Sequence, residues 1–180
     1  MEMSNHLHIE VVSSKSLSDT DKRTIISLCA RAYGEDFESL FNTFADSMHV
    51  LGYYDQSLVS HAMWVTRWLQ VGTNPLMRTA YIEAVATEKT YRTRGFATAV
   101  MKRAAEEIQD FNLGALSPFS VAYYERLGWE LWRGPLFIRT DKELMRTPRD
   151  GDIMILQLPR TPALDLNASL SAEWREGELG

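Results

Sequence analysis

Two parts of this chain have residue types and spacing that could do chemistry together. The first is a carboxylate in an unexpected place: Glu83 interrupts Tyr81-Ile-Glu-Ala-Val-Ala-Thr87, whose other residues are apolar or β-branched. Turned toward a cleft, it could take a proton from an amine, directly or through a water, and attract a cationic ligand. Turned outward, it is an ordinary strand glutamate. The second is Arg92-Thr-Arg94-Gly95-Phe96-Ala97, a turn with a basic residue at its start. Its glycine lets the backbone approach a ligand closely. A helix starting at such a turn offers unpaired N–H groups and the positive end of its dipole, a ready site for phosphate. Arg92 and Arg94 add full charges. Arg-x-x-Gly-x-Ala occurs by chance in many chains, so its context has to carry the reading.

The elements around these residues supply that context. Residues 81–87 read as a mostly buried strand and residues 96–109 as a helix with Val100, Met101, Ala104, Ala105 and Ile108 on one face. Upstream, residues 8–12 alternate as a first strand, and Ser18-Asp-Thr-Asp21 caps a helix running to about Tyr33, broken by Gly34. A second helix is expected over 38–46. Residues 48–54 and 58–68 are strand-like, joined by a hairpin at Asp55-Gln-Ser57, and Gly72-Thr-Asn-Pro75 makes the next turn. Downstream, Leu113-Gly-Ala-Leu-Ser117 is a short strand expected beside the Glu83 strand and stopped by Pro118. Residues 119–127 read as a helix ended by Gly128. Residues 129–139, interrupted at Gly134-Pro135, and 153–158 are the last strands, and no element is assigned beyond Pro159.

At 180 residues, with 45% apolar and 24% charged residues, the chain is expected to form one domain spanning 1–180. The net charge of −5 argues against general nucleic-acid binding and leaves a cationic small molecule as the easier partner. No secretory start and no membrane-length apolar stretch are visible, so a cytoplasmic location is expected. The single cysteine, Cys29, reads as a small buried hydrophobe, and His49 and His61 as hydrogen-bonded structural histidines. His6 and His8 form no credible ligand set with them, so no metal is expected.

The glycine motif in its strand–turn–helix setting resembles the phosphate-cradling motif of the GNAT superfamily of acyl-CoA-dependent N-acetyltransferases. Further segments, in order along nearly the whole chain, are similar to its aminoglycoside 2′-N-acetyltransferase branch. They include Glu35-Asp-Phe37, Ser47-Met-His-Val-Leu51, Leu58-Val-Ser-His-Ala62, Tyr124-Glu-Arg-Leu-Gly-Trp129, Trp132-Arg-Gly-Pro135, Arg146-Thr-Pro148 and the acidic tail around Glu173-Trp-Arg-Glu176. The resemblance implies an α/β (α+β) GNAT fold, a mixed and mostly antiparallel twisted sheet flanked by helices. It implies acetyl-CoA as the donor, with Val85, Thr87, Arg92, Arg94, Gly95, Phe96 and Ala97 binding it, and the Val85 N–H aimed at the acetyl oxygen. Glu83 would be the base, and Tyr124 would protonate the CoA sulfur; its alternative is an ordinary packing anchor. Ser117 either contacts substrate and thiolate or caps the following helix.

Acidic groups would hold the ammonium groups of the sugar, with Asp36, Glu83, Asp150, Asp152 and Glu178 as candidates. The departures concern the substrate pocket. The chain closes on Glu178-Leu-Gly180 where the family commonly ends in Asp-x-Trp, and Arg149 brings a positive charge into the carboxylate loop. A kasugamycin-type aminoglycoside, which carries a carboxylate, fits such a pocket. A polyamine or protein amine as acceptor, and an acyl-CoA sensor without turnover, are the competing readings. Homodimers are common in the superfamily the chain resembles.

Overall fold

The computed structural model describes residues 6–44, 46–147 and 151–175. They fall into two compact units, one comprising the residues up to Val65 with Glu83–Glu107, the other Thr66–Ile82 with the residues from Ile108 on. The secondary structure is that of the α+β class.

In the first unit, helix α1 (Asp19–Tyr33) begins with a reciprocal capping box. The Asp21 N–H donates to the Ser18 hydroxyl, and the Ser18 N–H donates to the Asp21 carboxylate. Left-handed Gly34 ends the helix, its N–H donating to the Ala30 carbonyl at 2.8 Å. The buried face is Ile25, Leu28 and Cys29. Burial pushes the Cys29 thiol up to about 12, as expected for an inert core residue. Helix α2 (Glu38–Phe41) is one turn long, shorter than the expected 38–46. Beyond it the Thr43 and Phe44 N–H groups bond three residues back, to the Leu40 and Phe41 carbonyls at 3.0 and 3.1 Å, which tightens the chain out of the α-helix.

Strand β1 (His8–Ser13) pairs antiparallel with β2 (Met48–Tyr54), which pairs antiparallel with β3 (Ser57–Val71). The β2–β3 turn places Asp55 and Gln56 at φ 49° and 63°, the handedness that suits a two-residue hairpin. Helix α3 (Phe96–Glu107) packs on β2 where Gly52 leaves room. A Cβ at that position would stand 3.1 Å from Val100.

In the second unit, β4 (Met77–Thr87), whose last residues belong to the first unit, runs parallel to β5 (Leu113–Leu116) in the register Thr79↔Leu113 to Ile82↔Leu116. This is the neighbour expected from sequence. The remaining strands are β6 (Glu130–Leu131), β7 (Leu136–Arg139), β8 (Leu144–Arg146), β9 (Met154–Gln157) and β10 (Leu170–Glu173), in the order β6-β9-β5-β4-β3-β10-β7-β8. Besides β4–β5, only β10–β7 is parallel among the described pairings, so the sheet is mixed and mostly antiparallel. Strand β10 lies in the tail that carried no assignment. Its two buried residues are followed by two half-buried ones, a stretch too short and without the alternation that would register as a period.

Helix α4 (Val121–Glu125) is shorter than the expected 119–127. Its cap is Ser120, which accepts the Tyr123 N–H at 3.2 Å, and left-handed Gly128 ends the turn that follows. Among the described residues, no helix is long and apolar enough to cross a membrane.

Candidate active site

The first unit contains the end of β4, where the strand is deformed. Ala84, in the run Ile82-Glu-Ala-Val85, has φ 53°, a left-handed conformation that costs a non-glycine residue about 1–3 kcal/mol. A left-handed residue inside a strand bends it and re-aims the side chains on either side. Both carbonyls after the bend are taken by side chains. His61 Nδ1 lies 2.8 Å from the Ala84 carbonyl oxygen, and the Tyr33 hydroxyl donates to the Val85 carbonyl at 2.7 Å. Glu83 and Val85, on either side of Ala84, are half-buried. Thr87 is buried, with its hydroxyl 2.9 Å from that of Ser60.

The histidines extend into a buried chain. His61 Nε2 is 2.9 Å from His49 Nδ1, and His49 Nε2 is 2.9 Å from the Ser47 hydroxyl. The carbonyl end fixes the direction. A carbonyl only accepts, so His61 carries its proton on Nδ1, its Nε2 accepts from His49 Nδ1–H, and His49 Nε2 accepts from Ser47. Both rings are neutral. Burial pushes His49 down to about 4, and burial followed by the neighbouring His49 pushes His61 down to about 3 against the opposing effect of the Ala84 bond.

Beyond β4, Thr93 (φ 70°) and Gly95 (φ 81°) are left-handed, and α3 begins with the Ala99 N–H bonded to the Gly95 carbonyl at 3.0 Å. A Cβ at Gly95 would meet nothing within 4 Å, so the backbone angle rather than space calls for glycine. Alternating handedness turns successive N–H groups toward one side, which together with the helix start suits an anionic phosphate. The two arginines are already engaged. Arg92 donates to the Thr87 carbonyl at 3.3 Å and braces the turn. Arg94 donates to the Tyr54 hydroxyl at 3.1 Å and lies over the rings of Tyr54, Phe96 and Tyr91. The loop is anchored at its start by Glu88, whose carboxylate accepts from Arg31 at 2.8 Å.

The second unit holds a cavity of about 360 Å³. Its walls are mostly apolar, with Tyr81, Leu136, Ile138 and Ile153 among them, and its polar groups are Arg67, Ser117, Thr147 and Ser171. Sequence reasoning missed Arg67, although a cation in the run Trp64-Val-Thr-Arg-Trp68 was a visible signal. Arg67 is 2% exposed, donates to the Glu173 carboxylate at 2.8 Å and backbone carbonyl at 2.6 Å, and lies over the Tyr81 ring. Glu173 also accepts the Trp68 N–H at 2.6 Å. Arg139 approaches it at 3.9 Å, and its guanidinium donates to the Ser171 and Trp68 carbonyls. Burial lowers the Arg139 pKa, partly offset by Glu173.

Ser117 lines this cavity, and the helix-capping alternative falls because Ser120 is the cap. Tyr124, in the same unit, is 2% exposed, its ring 5.2 Å from Phe119 and 6.3 Å from Trp129. Asp152 is exposed between two cavity residues, Gly151 and Ile153. Asp36, in the first unit, is exposed and accepts the N–H of Glu38 at 3.0 Å, serving the start of α2. Asp150, Arg149 and Glu178 lie outside the described residues.

The sequence profile described as an acetyltransferase (GNAT) domain matches residues 13–132. The chain belongs to the GNAT family of N-acetyltransferases, and its mixed sheet is the GNAT fold. It is 33% identical over 174 residues to an aminoglycoside 2′-N-acetyltransferase of Mycolicibacterium fortuitum, covering 90% of this chain and 88% of that one. Among solved structures, it resembles the GNAT family N-acetyltransferase YhbS of Escherichia coli, solved in complex with CoA. There the TM-score is 0.63 at 14% identity, over 95% of this chain and 92% of that one. Eis1 of Mycobacterium abscessus matches with a TM-score of 0.61 at 17% identity over 72% of this chain, which spans 32% of the Eis1 chain.

Proposed function

We propose that the protein transfers an acetyl group from acetyl-CoA to the 2′-amino group of an aminoglycoside, the outcome being antibiotic resistance. The observation that carries this reading is the 33% identity over 90% of the chain to the M. fortuitum enzyme.

Acetyl-CoA supplies an activated thioester. The Arg92–Ala97 turn, with left-handed Thr93 and Gly95 ahead of α3, suits its phosphates, and β4 from Val85 to Thr87 suits an extended arm laid along the strand. Attack by a neutral amine forms the C–N bond and breaks the C–S bond. Glu83 accepts the proton released from nitrogen, and the Val85 N–H donates to the carbonyl oxygen as negative charge builds on it. The departing thiolate takes a proton from Tyr124, with Ser117 as the other hydroxyl available for that role.

Among aminoglycosides, the cavity favours a compact one that itself carries a carboxylate, of the kasugamycin type. Its described wall bears Arg67, and Arg67 and Arg139 share the single carboxylate of Glu173. The test is CoA release from acetyl-CoA with gentamicin, kasugamycin, spermidine and a peptide amine. Turnover of aminoglycosides alone supports the reading. Turnover of the polyamine or peptide alone replaces the acceptor, and CoA binding without turnover of any acceptor makes the protein a sensor.

A further inference from the structure

The left-handed Ala84 in the interior of β4 needs an explanation, because an L-residue holds that conformation only when its surroundings over-determine it. The surroundings here are specific. Two consecutive carbonyls, those of Ala84 and Val85, are each held by a side-chain donor from a different element: His61 from the middle of β3 and Tyr33 from the last position of α1. His61 is itself fixed in rotamer and tautomer by His49, and His49 by Ser47. The Val85 N–H belongs to the same planar peptide unit as the Ala84 carbonyl, so the His61 bond sets its direction, and the Tyr33 bond holds the unit that follows.

We propose that Tyr33 and His61 are positioning residues for the acyl transfer, clamping the bend at Ala84–Val85 so that the Val85 N–H and the Glu83 carboxylate keep the directions the reaction needs. The proposal rests on the reading that this stretch of β4 faces the thioester.

Two features separate a positioning role from plain packing. The Tyr33 ring stacks on Phe37 at 6.0 Å, so phenylalanine would keep that apolar contact and lose only the hydroxyl. The hydroxyl proton is also committed to a carbonyl. Burial first, then Cys29, Glu83 and Glu35, raise the Tyr33 pKa and keep the phenol a donor rather than a proton source. The Glu83 carboxylate is within electrostatic reach of the hydroxyl that holds its neighbour but one.

The His61 relay has an equally specific chemistry. An asparagine amide can place an N–H near the position of Nδ1, whereas alanine cannot. The acceptor for His49 is lost in both, so the pair isolates the bond to Ala84.

The test uses this chain as Tyr33→Phe, His61→Asn, His61→Ala and, as a stability control in the same unit, Ile25→Val. Five quantities are read: kcat and KM with a saturating donor, acetyl-CoA hydrolysis without acceptor, the thermal midpoint, and hydrogen exchange of the amides of residues 84–88. Tyr33→Phe is expected to lower kcat about tenfold with acceptor KM within about twofold, the scale of one lost hydrogen bond. Exchange at 84–88 is expected to rise by about fivefold or more while the thermal midpoint hardly moves. His61→Asn is expected to keep about fivefold more activity than His61→Ala, and Ile25→Val to lose stability without losing kcat.

The proposal is overturned if Tyr33→Phe keeps both full turnover and wild-type exchange, or if Ile25→Val loses as much kcat as Tyr33→Phe. If the wild type acetylates no acceptor, the functional reading fails by itself. Acetyl-CoA hydrolysis and amide exchange then decide the clamp, and unchanged values for both in Tyr33→Phe overturn it.

Discussion

The buried Ser47–His49–His61 chain makes this protein acid-labile by an amount that can be worked out. Both rings are fully buried and held neutral, His49 down at about 4 and His61 at about 3, while an exposed imidazole has a pKa near 6.5. The other groups packed against the pair are the Cys29 thiol, 3.9 Å from His61 Nδ1 and neutral, and the Phe41 ring beside His49. As the pH falls below the unfolded value, the unfolded chain binds protons that the native chain refuses. Stability is therefore full above about pH 6.5 and is lost on the way down. At about pH 5.5, one unit below the unfolded value and above both native ones, each ring costs about 1.4 kcal/mol and the pair about 3 kcal/mol. This figure depends only on both native values lying well below 5.5. Urea unfolding followed by tryptophan fluorescence at about pH 7.5 and 5.5 measures it, and His49→Gln should remove about half of the loss. Equal stability at the two pH values, or an undiminished loss in His49→Gln, would refute the reasoning.

Glu83→Gln removes the proposed proton acceptor and should lower kcat about a hundredfold while CoA binding, read by calorimetry, is unchanged. Gly95→Ala forces a side chain into φ 81° and should weaken CoA binding about five- to thirtyfold, reflecting a left-handed penalty of roughly 1–2 kcal/mol, with no steric clash to relieve. Glu173→Ala leaves the Arg67 guanidinium buried without its carboxylate and should cost about 3 kcal/mol in thermal denaturation. Arg67→Met, which removes the buried charge itself and leaves a part-exposed carboxylate, should cost less.

The parts of this structure that could be read from sequence are those fixed by neighbouring residues. Ser18 and Asp21 set the start of α1 because a capping box is a local exchange of two hydrogen bonds. Asp55-Gln56 set the hairpin, and the strand–turn–helix around Gly95 was visible because its pieces adjoin in the chain. What was not legible depends on partners distant in sequence. Strand β10 gains its place from β3 and β7, and Glu173 gains its role from Arg67, 106 residues away. The bend at Ala84 had no signal, since alanine carries no preference for a left-handed angle, and its donors come from positions 33 and 61. Ser117 reads as a cap only while the helix is expected from residue 119; the helix starts at Val121, and Ser120 is placed to accept the Tyr123 N–H.

The most direct measurement of the proposed reaction compares two acceptors that differ at one position. Kanamycin B carries an amine at 2′ and kanamycin A a hydroxyl there, and both are offered with acetyl-CoA under identical conditions, with the product located by NMR. The account predicts CoA release with kanamycin B, one acetyl group on its 2′ nitrogen, and no turnover of kanamycin A. Equal acetylation of both at another amine would contradict it.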